Sequence, residues 1–131
     1  GGTPAPLAVT ESFSTACLPG TRPRWNQLAW TASIPSGADV KFEMRTAPAL
    51  PDGGAGGFTA WVVVANPPLA GEPATCSMSG PSPCPVLLEP LLGAPAVENE
   101  KMEMKITLTS AAGAIPTLTS YQVTFDCVPS E

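Results

Sequence analysis

The sequence predicts an all-β fold, an antiparallel two-sheet β-sandwich of about six to eight short strands held by two disulfides. Three observations carry this expectation. Several segments alternate apolar and polar residues at a spacing of two, as strands with one buried face do. The 17 Pro and 12 Gly of the 131-residue chain gather between those segments rather than inside them. No stretch repeats its apolar residues at helical spacing over a useful length, and there is neither a heptad pattern nor an internal repeat. The length is that of one domain, spanning 1–131, with enough apolar material for a single core.

Residues 1–7 are expected to form a flexible N-terminal segment, followed by a weak first strand at 8–14, "AVTESFS". The segment 24–34 sets Leu28, Trp30, Ala32 and Ile34 on one face. A tight hairpin signal, "IPSGAD", leads to 39–47, where Val40, Phe42 and Met44 oppose Lys41, Glu43 and Arg45. "FTAWVVVA" at 58–65 is apolar on both faces, which predicts an interior strand. Residues 66–97 read as a long Pro-rich excursion, with a short strand at 85–90. The alternation is strictest at 101–110, where Met102, Met104, Ile106 and Leu108 share a face. The closing strand, 117–127, aligns Tyr121, Val123, Phe125 and Cys127.

Four cysteines in a chain without His point away from a zinc site, because no close Cys pairs two to four residues apart are present. Two disulfides formed in an oxidising compartment, secreted or at a cell surface, account for them better. Three pairings are possible; joining Cys76 to Cys84 closes a short loop of turn-formers and leaves Cys17 for Cys127. A net charge of −5 disfavours nucleic acid and anionic lipid as partners. No apolar run approaches the ~20 residues that a bilayer-spanning helix needs, so membrane insertion is not expected. The opening "GGTPAPLA" lacks an initiator Met and a signal peptide and reads as a processed or excised piece.

"WNQLAWTASIPSGADVKFEMRTA" and "MEMKITLTSAAGAIPTLTSYQVTFDC" together resemble a recurring bacterial pattern. Its elements are Trp, Leu-x-Trp, a Pro-x-Gly turn, a strand ending Arg-Thr-Ala or Arg-Thr-Gly, then Leu-Thr-Ser and Pro-x-Leu. Trp25, Leu28, Trp30, Pro35, Gly37, Arg45, Thr46, Pro116 and Leu118 hold the matching places. The pattern is similar to that of jelly-roll-like β-sandwich accessory modules, related in form to carbohydrate-binding and discoidin-like domains. The resemblance implies a module of a secreted or cell-surface bacterial protein. It departs from the pattern where an Arg-Tyr pair is usual and this chain has "ENEKMEMK"; the cysteines lie outside it.

Without His the commonest general base is missing and a Ser–His–Asp triad cannot be built, so no catalysis is expected. Glu98 and Glu100 are a solvated pair rather than glycosidase carboxylates. No cofactor is expected; a structural Ca²⁺ is the minority alternative, because the acids do not form a calcium loop. Trp30 reads as core, whereas Trp25 and Trp61 are candidates for stacking on sugar, with Arg45 as a clamp. Packing is the commoner fate for Trp61, and pairing with a carboxylate for Arg45. Met78, inside the braced loop 76–84, is a candidate side chain for insertion into a protein partner. The expected function is therefore adhesion or assembly of a surface protein or extracellular structure, through protein surfaces or polysaccharide. Carbohydrate binding, and inhibition or binding through loop 76–84, are the alternatives.

Overall fold

The computed structural model describes residues 6–129. Residues 1–5 of the expected flexible segment lie outside the described residues, and Leu7 already opens a strand. Among the described residues there are seven strands: β1 (Leu7–Ser14), β2 (Thr21–Ser33), β3 (Asp39–Ala47), β4 (Val62–Ala65), β5 (Val86–Leu87), β6 (Lys101–Thr109) and β7 (Thr117–Pro129). They form a four-stranded sheet, β1-β6-β3-β4, and a three-stranded sheet, β5-β2-β7. All pairings are antiparallel. The fold is the two-sheet sandwich that the alternation predicts.

The core is built by the inward phases of that alternation. Val40, Phe42 and Met44 of β3 and Met102, Met104 and Ile106 of β6 are buried, and Leu28 and Trp30 of β2 close over them. Side chains of this size contribute about 1.5–3 kcal/mol each when fully buried. The rings of Trp30 and Phe42 lie 4.9 Å apart, which sets β2 over β3. Tyr121 of β7 lies 6.2 Å from Phe42 and 6.3 Å from Phe13 of β1, so β7 sits over β6, between those strands.

Three local expectations are corrected. "IPSGAD" does not join a hairpin: β2 and β3 belong to opposite sheets, and the turn carries the chain across the sandwich. The turn itself forms, with the Ala38 N–H donating to the Pro35 carbonyl at 3.0 Å and Gly37 at φ 92°, a backbone region that favours glycine. The strand expected at 58–65 begins only at Val62 and is an edge, not an interior strand. The segment expected to be a strand at 85–90 gives only β5, because the chain then turns into a single helical turn, α1 (Glu89–Leu92). Pro90 sits in its first turn, where no backbone N–H is required, and Gly93 ends it at φ 70°.

The excursion packs back on the core. Cys76, Cys84, Val86, Leu88 and Val97 are buried beside the β3–β4 side of the sandwich. Asn99 ties this region down: its side-chain amide donates to Thr46 Oγ1 at 3.1 Å, and Thr46 Oγ1 donates to the Ala96 carbonyl at 2.7 Å. The disulfides are Cys17–Cys127 and Cys76–Cys84. Among the described residues no helix is long and apolar enough to cross a membrane.

Candidate functional site

The two sheets differ in width, and the difference falls on one side. Over β4 the excursion takes the place of a strand. Over β1 no described strand does. The inward phase of β1 is Leu7, Val9, Glu11 and Phe13, since these residues pair with Leu108, Ile106, Met104 and Met102 of β6. With no strand facing them, Leu7, Val9 and Phe13 remain 62%, 46% and 36% exposed. The result is an open groove of about 680 Å³ between β1 and β7, floored by Ile106 and Leu108 and walled by Pro116–Tyr121 and Val123. Among the described residues, the outer backbone edge of β7 has no strand partner, because β7 ends its sheet.

Glu11 is the one acid in this groove. Its carboxylate accepts a hydrogen bond from the Tyr121 hydroxyl. Burial, reinforced by Glu11, holds the phenol above its ordinary pKa, so Tyr121 remains a donor throughout the neutral range. No Lys or Arg compensates the carboxylate. The chain has six basic residues, none lines the groove, and five are committed to ion pairs elsewhere: Arg22, Arg24, Lys41, Arg45 and Lys105. The sixth, Lys101, donates to Ser14 Oγ at 2.9 Å.

The sequence candidates Arg45 and Trp61 do meet, on the outer face of the four-stranded sheet. The guanidinium lies 4.4 Å from the centre of the Trp61 ring and 4.6 Å from that of Phe58. Its Nε donates to Glu103 Oε1 at 2.7 Å. Lys105 lies 4.6 Å from the Trp61 ring and 3.7 Å from Glu43. Residues 58–61 leave the strand to lie over this charged row, and Trp61 is half-buried by it. The ring is held by cations of the chain's own making.

Trp25 is not a surface residue, which corrects the expectation that it could stack on a sugar. It is 2% exposed, its ring lies 5.5 Å from Phe125, and its indole N–H donates to the Asn99 carbonyl at 2.9 Å. The reason is a β-bulge: Trp25 pairs with Phe125 and Leu28 with Val123, so three steps on β2 match two on β7. The extra residue reverses the phase and turns both Trp25 and Leu28 inward.

Met78 is half-buried, and the two cysteines that bracket its loop are in the core. Ser77 and Ser79 hydrogen-bond to each other within the loop, and the Gly80 N–H donates to the Ser77 carbonyl at 3.0 Å. Glu98 is engaged by the arginines of β2, whereas Glu100 is exposed. Glu98 accepts from Arg22 Nε at 2.8 Å, and that bond with the charges of Arg22 and Arg24 keeps its carboxyl below its ordinary pKa. Among the described residues, no three His, Cys, Asp or Glu side chains converge as metal ligands.

Comparison with protein-family models, curated proteins and solved structures finds no match for this chain. The site therefore rests on its own geometry. Sequence reasoning passed over Glu11, Val9 and Phe13. The available signal was a carboxylate set in the apolar phase of a strand otherwise composed of Leu7, Val9 and Phe13.

Proposed function

We propose that this chain is a non-catalytic, secreted module for adhesion or assembly, acting by protein contact through the open side of its sandwich. The observation that supports this reading is the inner face of β1, where Leu7, Val9 and Phe13 stay exposed, Val9 and Phe13 in a groove that the described residues leave uncovered. A contiguous apolar groove open to water is a place where a module gains free energy when a partner covers it. The two disulfides suit an oxidising compartment outside the cell.

The carbohydrate alternative has less support. Trp25 is buried, and Trp61 is already covered in part by Arg45 and Lys105. Inhibition through Met78 has no support beyond the bracing of its loop.

Beads coated with the domain and presented to cell surfaces test the proposal. Adhesion should survive periodate treatment of the surface, fall after protease treatment, and be lost in Val9→Arg. Adhesion that is instead erased by periodate and depends on Trp61 would transfer the function to sugar binding.

A further inference from the structure

The geometry points to strand addition: a partner polypeptide, extended and alternating apolar residues around one Lys or Arg, pairs with the free edge of β7 and seats its basic residue against Glu11. This rests on the adhesion or assembly role proposed above and specifies its partner.

The topology supplies the vacancy. β2 covers β3, β7 covers β6, and the excursion covers β4, while among the described residues β1 has no facing strand. One strand added beside β7 would lie over β1 and bury Leu7, Val9 and Phe13. The backbone hydrogen bonds of such an edge supply affinity, and side chains at alternate positions supply selectivity. β7 is 13 residues long, ample for a stable pairing.

Charge chooses the occupant. Glu11 sits in an apolar wall with a tyrosine hydroxyl as partner and no cation. An incoming apolar strand would desolvate that carboxylate at a cost unless it brought a positive charge. A second copy of this chain cannot do so with its edge strands. β1, β4, β5 and β7 contain no Lys or Arg, and the basic residues of β2, β3 and β6 belong to interior strands. The fit is to a different polypeptide.

The test uses two synthetic peptides that alternate Val with Thr or Ser, one with Lys at the centre and its match with Glu. Binding to the isotope-labelled chain is followed by NMR titration and amide exchange. The Lys peptide should bind about fivefold more tightly than the Glu peptide. Freely exchanging amides within Thr117–Val123 should become protected, and Glu11→Lys should reverse the preference. Circular dichroism establishes that Glu11→Lys and Val9→Arg are folded, as exposed positions on an edge strand allow. The inference is overturned by absence of saturable binding to either peptide, by equal binding of both, or by protection away from β7. Self-association that Val9→Arg abolishes would place a second copy in the groove and overturn it too. If bead adhesion is protease-sensitive and lost in Val9→Arg while the peptides fail, strand addition falls and the contact role stands; if adhesion is periodate-sensitive, the role itself falls.

Discussion

The indole N–H of Trp25 donates to the main-chain carbonyl of Asn99, 74 residues away, at 2.9 Å. The same Asn99 grips Thr46 through its side chain, so a single residue fastens β2 and β3 to the end of the excursion. Trp30 is equally buried, yet among the described residues its indole N–H has no partner. Trp25→Phe should therefore destabilise the fold by about 1 kcal/mol more than Trp30→Phe, since only the first leaves a carbonyl without its donor. Urea midpoints of the two variants measure this; equal losses would remove Asn99 from the account.

Acid should weaken the fold through Glu98. Its folded pKa lies below its ordinary value, so its contribution is fully present above the unfolded pKa of ~4.3 and is lost as pH falls through the folded one. Glu98→Gln should flatten the part of the stability profile that lies below about pH 4.5. An unchanged slope would mean that Arg22 and Glu98 contribute nothing in solution.

Tyr121 is the chain's single tyrosine, so its titration can be read by absorbance alone. Burial and Glu11 raise its pKa, so stability is full below ~10, the unfolded value, and declines at higher pH as unfolded chains ionise first. Phenolate should appear with unfolding rather than before it. Glu11→Gln should bring its onset to lower pH, but only part of the way, because burial is the larger cause. Ionisation at the free tyrosine value in the folded protein would contradict the bond to Glu11.

The disulfides should open in order. Cys127 is exposed and Cys17 half-buried, whereas Cys76 and Cys84 lie in the core. Mild thiol reduction followed by alkylation and mass spectrometry should label Cys17 and Cys127 first. In the chain-entropy account the long loop is worth roughly 4–5 kcal/mol and the short one roughly 2–3, so loss of the first should lower the urea midpoint more. The ranking would reverse if replacing Cys76 and Cys84 cost more in core packing than that difference.

Arg45→Lys retains the charge but not the planar group between Phe58 and Trp61. It should cost about 0.5–1 kcal/mol and increase the solvent exposure of Trp61, seen as a red-shifted emission. No spectral change would mean that the ring is held by the chain rather than by the guanidinium.

Much of the sandwich was legible because β3 and β6 keep unlike environments on their two faces. Met102, Met104 and Ile106 alternate with Lys101, Glu103 and Lys105, and no other phase buries the first set. Trp25 was illegible because its direction depends on the bulge, which arises from how β2 registers with β7. Val62–Ala65 read as interior because its residues are apolar, but its position is set by strand order, and Val63 is exposed at the sheet edge. The groove was hidden for the same reason. Local pattern says which face of β1 is apolar; only the topology says that no described strand comes to cover it.

The Cys17–Cys127 bridge makes the domain mechanically lopsided. Tension applied along the chain from outside Leu7 and Pro129 passes through β1, crosses the disulfide and leaves by Cys127. The residues between the two cysteines are bypassed and carry no load. β1 is the one strand lying wholly within the stretched path, and it is also one wall of the groove. Pulling on such a module would peel that wall from β6 while the rest of the sandwich stayed folded, so a partner seated there would feel the load first.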